Sequence, residues 1–230
     1  MIRPILAASV ATLILATPAL AETRDYDVSS FTAIDVSAGI DVSFETGQSQ
    51  SVAVENSKGD FGDIIVEVRG DTLVLKRPNR GLSWAKRERY SVAVSAPTLS
   101  VLDVSSGADA IGSGLSGREV SISTSSGADA NVVDIVAENV SLSSSSGSDL
   151  KASGTCDHVE ADSSSGSDIE ARELICKSAD ADASSGSDIE IYASERVDAD
   201  ASSGADVDVF GGPTQTQIDK SSGGSVSISG

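Results

Sequence analysis

Large side chains are scarce in this chain. Aromatic residues make up only 3% of its 230 positions, which excludes a broad globular interior packed by rings and calls for a narrow one filled by Val, Ile, Ala and Ser. Histidine occurs once and cysteine twice, with no Cys-x-x-Cys, no nucleophile elbow and no phosphate loop, so little is present from which to build a catalytic centre. Positive charge is short as well: 16 Lys and Arg stand against 35 Asp and Glu, a formal net charge of −19. Nucleic acid is excluded as a partner on that ground, because phosphate binding needs positive charge in bulk.

What is present begins with an address. Met1-Ile2-Arg3, the apolar stretch Ile5 to Leu15 and Ala19-Leu20-Ala21 follow the order of charge, apolar core and small-residue cleavage site of a secretory signal peptide. The apolar stretch is shorter than the roughly 20 residues a spanning helix needs, and no later one is longer, so no transmembrane segment is expected after cleavage. Residues 1–21 are therefore read as a leader, and the mature chain is expected in the periplasm, secreted or at the cell surface.

An internal repeat dominates the rest. Ser105-Ser106-Gly107-Ala108-Asp109 recurs at Gly127, Gly147, Gly166, Gly186 and Gly204 and ends in the degenerate Ser221-Ser222-Gly223-Gly224-Ser225. Successive glycines lie 20, 20, 19, 20, 18 and 19 residues apart. Counted from each glycine, odd offsets carry small or apolar residues (Val140, Leu142, Leu150, Ala152) and even offsets carry polar ones (Glu160, Asp162, Glu170, Asp180). Period two marks strands with one buried face. A repeat this short cannot bury its own apolar face, whereas stacked copies make a continuous core. The expected fold is all-β: a parallel β-helix or solenoid with coils of about 20 residues over 101–230, preceded by less regular strands over 22–100 that form irregular coils or a capping sheet. The serines on both sides of each glycine fall on the nominally inward side, which predicts a tight corner with a positive-φ glycine and hydroxyls bonded to backbone or to the next serine.

Cys156 lies ten residues before Gly166 and Cys176 ten before Gly186, so both hold the same place in consecutive coils. Stacking puts them about one strand spacing apart, roughly 4.8 Å, within reach of a disulfide that an oxidising compartment would form. A metal site is the alternative, but two thiolates and one distant histidine, His158, are a poor ligand set.

Two features could contact a ligand. Between Lys76 and Arg89, six of the fifteen basic residues beyond the leader gather around the only tryptophan; Arg80, Trp84, Lys86 and Arg87 could grip an anionic glycan or a protein, or could form a solvated loop that offsets the acidic body. Asp109, Asp129, Asp149, Asp168, Asp188 and Asp206 each follow a repeat glycine by two positions and should form a column of carboxylates. At about 4.8 Å two such charges repel by roughly 0.9 kcal/mol even in bulk water, so something must offset the cost. A weak calcium site is one answer, and Asp capping of each turn is another. No other cofactor is expected.

Phe31-Thr-Ala-Ile34-Asp-Val36-Ser-Ala-Gly39-Ile40-Asp-Val42, followed by Val92-Ala-Val-Ser-Ala-Pro97-Thr-Leu99 leading into Gly107, resembles the exported bacterial domains known as putative auto-transporter adhesin, head GIN domain. The resemblance covers essentially the whole chain after the leader, although Gly39-Ile40-Asp41 stands where the name has Gly-Ile-Asn. It implies a right-handed β-solenoid and an exported location, and implies little about activity. The resulting expectation is a non-catalytic, adhesin-like binding module with an unidentified envelope or surface ligand, protein or glycan. The alternatives are a structural or assembly solenoid of the cell envelope and a glycan-active β-helix enzyme. An unpaired coil end would also allow a homodimer.

Overall fold

The computed structural model describes residues 21–47, 49–78 and 88–230. The leader read over residues 1–21 therefore lies outside the described residues apart from Ala21. Every element is a strand: β1 (Glu22–Asp25), β2 (Ala33–Ser37), β3 (Asp41–Thr46), β4 (Ser51–Asn56), β5 (Ile65–Arg69), β6 (Thr72–Lys76), β7 (Tyr90–Ala96), β8 (Val101–Ser105) and β9 (Asp109–Ser113). They continue as β10 (Ser116–Ser125), β11 (Asp129–Ser145), β12 (Asp149–Ser164), β13 (Asp168–Ser184), β14 (Asp188–Ser202), β15 (Asp206–Phe210), β16 (Gln215–Lys220) and β17 (Ser225–Ser229). No helix occurs among the described residues, so none there is long and apolar enough to cross a membrane.

From β8 onward the pairing is parallel, one coil upon the next, as the period of the repeat requires. β11 lies on β12 with Ala130 on Leu150 and Val140 on Val159; β12 lies on β13, β13 on β14, and β14 on β15 and β16. Alternation sends one side chain in two to the interior, where like positions form columns. One column runs Ile34, Leu102, Ile122, Leu142, Ala161, Ala181, Ala199, all nine-tenths or more buried. Full burial of each Leu or Ile contributes about 2 kcal/mol, which one coil alone could not collect. Coils of 19 and 18 residues keep the same columns because the register slips at bulges, between Val132 and Ile135 and between Ala171 and Ile175.

The corner differs from expectation in one respect. In all seven repeats the serine before the glycine also has positive φ, as at Ser165 (60°) and Gly166 (66°). Two successive left-handed residues make a turn that swings the first of them outward, so Ser106, Ser126 and their equivalents are exposed and not inward. The serine after the glycine does face inward: Ser148, Ser167 and Ser187 are fully buried. Their hydroxyls are satisfied, as buried polar groups must be. Ser167 Oγ lies 2.8 Å from the Ser144 carbonyl of the preceding coil, and Ser187 Oγ 2.8 Å from that of Ser163. Thr124, Ser144 and Ser148 extend the same chain of hydroxyls.

The N-terminal part combines the two arrangements expected for it. β2 and β3 form a coil in full register with β8 and β9, turning through Ala38 and Gly39 just as later coils turn through Ser-Gly. β6 and β7 stack in parallel on its far side. The chain then doubles back: β5 pairs antiparallel with β6, β4 with β7, and β1 with β4, closing that end. Its outermost strand β1 carries Glu22, Arg24 and Asp25, and Arg24 stacks on the Phe61 ring at 4.5 Å. Charge on an edge strand discourages further pairing.

Candidate functional site

The turn geometry builds the most regular surface feature. Because each Gly-x-Asp follows the same two left-handed residues, its aspartate leaves the corner in the same direction, and strand pairing sets Asp109, Asp129, Asp149, Asp168, Asp188 and Asp206 in one column. Asp41 heads it, paired with Asp109. Sequence reading missed Asp41 because its turn is Ala38-Gly39 instead of Ser-Gly; the shared Gly-x-Asp spacing was the available signal.

The column is electrostatically strained. Partial burial, then the aspartates above and below, raise the carboxyl pKa of Asp109, Asp149 and Asp188 above the usual range. Relief comes from the backbone, since the Asp149 N–H donates to the Asp129 carboxylate at 3.3 Å. The ion pairs of the repeats go to other acids: Lys151 to Glu170 at 2.7 Å, Lys177 to Asp157 at 2.6 Å and Arg118 to Glu138 at 3.4 Å. A shallow groove of about 300 Å³ runs beside the column, with Ile111, Asn131 and Lys151 on its other wall. Among the described residues no group of three His, Cys, Asp or Glu side chains is placed to hold a metal ion. The six aspartates proposed for calcium thus lie as a line, one per coil.

Of the basic stretch, Arg80, Trp84, Lys86 and Arg87 lie outside the described residues. Both of its stems are described, and they are pinned. Arg77 is nearly buried: its Nε donates to the Ala38 carbonyl at 2.8 Å and its Nη1 to the Asp63 carboxylate at 2.7 Å, and Nη2 donates to the Glu88 carbonyl. The same guanidinium lies over the Tyr90 ring, 5.2 Å from its centre. On the returning stem, buried Asn56 donates to the Arg89 carbonyl at 3.1 Å and Lys58 pairs with Glu88 at 2.8 Å. The fork of five donors on arginine is what allows one side chain to tie the first corner, a carboxylate and the opposite stem together. The stretch is therefore anchored at the corner that begins the aspartate column.

Cys156 and Cys176 are disulfide-bonded, with Cα atoms 4.6 Å apart. His158 Nδ1 lies 3.0 Å from Ser178 Oγ and its Nε2 3.8 Å from the Asp180 carboxylate, on a water-exposed sheet face whose strand amides are engaged in the ladder. An outward column that sequence reading did not find runs Val136, Thr155, Ile175, Tyr192, Phe210, with Val136 62% exposed and the Arg172 guanidinium 4.1 Å from the Phe210 ring centre. The bulges hid it, because they shift the spacing between coils on that face.

Comparison with known proteins agrees with this architecture. Residues 30–213 match the family described as "Putative auto-transporter adhesin, head GIN domain". No curated protein matches the sequence. Among solved structures, a "putative adhesin" from Bacteroides fragilis superposes with a TM-score of 0.78 at 19% identity, covering 91% of this chain and 97% of that one. A "putative lipid binding protein" from Parabacteroides distasonis gives 0.68 at 18% identity, and a "putative adhesin" from Parabacteroides merdae 0.60 at 14%. These cover 91% of this chain and 97% and 96% of theirs, and at such identities they establish the fold alone.

Proposed function

We propose that this chain, which belongs to the auto-transporter adhesin head GIN domain family, is an exported, non-catalytic binding module that grips its ligand through the basic, tryptophan-bearing stretch at its first corner. One observation carries the reading: both stems of that stretch are fastened to the rigid solenoid through Arg77, so the segment carrying Arg80, Trp84, Lys86 and Arg87 is presented from a fixed base. Binding residues are disproportionately carried on segments that a rigid scaffold positions. The charge supports it further, since Arg80, Lys86, Arg87 and Arg89 gather beside Trp84 in a chain of net charge −19, giving an anionic ligand a favourable approach. An anionic glycan of the envelope or of a neighbouring surface is the ligand class this chemistry fits.

The test is binding of the purified protein to an array of anionic glycans, repeated with Trp84→Ala and with Arg80→Ala/Arg87→Ala. Retention by the wild type and a loss of about tenfold or more in each variant, with unchanged thermal stability, is expected. Wild-type retention that survives all three substitutions would move the contact away from this corner. Absence of any retained glycan, combined with specific capture of lipid vesicles, would replace the reading with lipid binding.

A further inference from the structure

A second groove, of about 340 Å³, crosses the outer surface of the middle coils, within the roughly 300–1,000 Å³ of small-ligand sites. Two ranks of side chains wall it. Asn131, Lys151, Glu170 and Glu190 follow one another in register on β11 to β14, and Ser153 pairs with Glu173 in the other rank, beside Arg172. Tyr192 leaves β14 on the same face as Glu190 and pairs with Phe210 on β15, so the groove runs along the solenoid axis toward two half-buried rings.

Both rings are held. A Cβ at Gly211 would fall 2.7 Å from Tyr192 Cζ, so a glycine there lets this ring lie against the chain, and the Arg172 guanidinium sits over Phe210 at 4.1 Å. Arg118, Lys151, Lys177 and Arg196 each pair with a carboxylate, whereas Arg172 has no ion-pair partner among the described residues.

The lining narrows the occupant. Lys151 and Arg172 stand against Glu170, Glu173 and Glu190, so a strongly charged ligand of either sign meets like charge. A wholly apolar ligand would strip water from those charges and return no hydrogen bond. An uncharged polyhydroxyl ring avoids both costs, because its hydroxyls donate to the carboxylates and accept from Lys151, Arg172 and Asn131 while its C–H face packs on an aromatic ring. Successive coils advance by about 4.8 Å, close to the length of one pyranose unit in an extended chain.

We propose that this groove binds a linear, uncharged glycan lying along the solenoid axis, its sugar rings in step with the coils and Tyr192 and Phe210 forming the stacking platform at one end. The site is separate from the Trp84 stretch, takes a different class of glycan and does not depend on the ligand proposed there.

Calorimetric titration of the purified protein with cellohexaose, laminarihexaose, mannohexaose and chitohexaose tests this. At least one should bind, about tenfold more tightly than its own disaccharide, because only the longer chain reaches from β11 to the rings. Arg172→Ala and Glu173→Gln, both at exposed positions, and Phe210→Ala should each weaken binding by about tenfold, while Trp84→Ala leaves it unchanged. In the wild type, amide NMR shifts caused by the sugar should cluster on β12 to β15. Failure of all four hexasaccharides to bind, equal affinity for the disaccharide, or binding indifferent to both Arg172→Ala and Glu173→Gln overturns the proposal. So does tighter, Arg172-dependent binding of hexagalacturonate, which would make the ligand an anion, and so does loss of binding on Trp84→Ala, which would put the contact at the first corner.

Discussion

Cys156 stands directly over Cys176: the two are paired in register on adjacent parallel strands, their Cα atoms are 4.6 Å apart, and the chain between them makes one complete coil of the solenoid. A disulfide here ties a coil to the next without bending either, since parallel neighbours already lie within bridging distance.

Replacing both cysteines by alanine should therefore leave the fold intact and lower its stability. Opening a closed loop of about 20 residues costs about 3 kcal/mol in chain entropy. Urea unfolding of the double variant, and of wild type with reductant, should show the same loss. Equal stability with and without the bridge would mean that the strand ladder alone sets the energy of these coils.

Two glycines should answer alanine substitution differently. At Gly166 a Cβ meets nothing within 4 Å, so Gly166→Ala bears only the left-handed φ, about 1 kcal/mol, which the neighbouring serine already tolerates. At Gly154 a Cβ would fall 2.1 Å from the Ile135 carbonyl oxygen, and backbone cannot yield as a side chain does. Gly154→Ala should cost at least about 3 kcal/mol or prevent folding. Thermal melts of the pair decide the matter, and similar melting points would refute the close approach of those coils.

The aspartate column makes stability depend on pH in an uncommon direction. Burial and neighbouring carboxylates raise the folded-state pKa of Asp109, Asp149 and Asp188 above the ordinary 3.8, so the folded chain holds more protons than the unfolded one in that window. The penalty is fully present at neutral pH and fades as pH falls through the raised values toward 3.8. The melting temperature should accordingly rise on mild acidification. Asp109→Asn should stabilise at neutral pH by a fraction of a kcal/mol, given solvent screening, and lose that effect as pH falls below 3.8. Added sodium chloride should stabilise as well. A gain seen with calcium chloride and not with sodium chloride at equal ionic strength would identify the column as a calcium site.

Arg77 is predicted to matter more than its position at the edge of the basic stretch suggests. Arg77→Ala removes a nearly buried guanidinium from Asp63 and from two carbonyls, a loss of about 3 kcal/mol, and frees both stems. Limited proteolysis between Arg77 and Glu88 should accelerate while cleavage within the repeats stays slow. Arg77→Lys should restore little, because an ammonium cannot span three separate acceptors in a plane. Unchanged cleavage would detach the binding stretch from the corner.

Most of the architecture was legible from spacing. The Ser-Gly period marked the coils, the alternation marked their inner faces, and the matching offsets of Cys156 and Cys176 located the disulfide. Legibility failed where backbone conformation breaks the period. Ser165 has the parity of an inward residue yet points out, because its left-handed φ cannot be told from a serine letter. Tyr192 and Phe210 align with Val136 and Ile175 only after the chain slips register at the bulges.

The amino-acid sequence by itself determined the all-β repeat, the acidic charge and the columns of repeat aspartates and of the two cysteines, because those follow from period and composition, which any stacked arrangement must respect. Only the tertiary structure decided that Ala38-Gly39 begins the same series of turns and that Arg77 fastens the basic stretch to that corner. Those facts depend on how segments distant along the chain meet, and a local repeat holds no record of its neighbours in space.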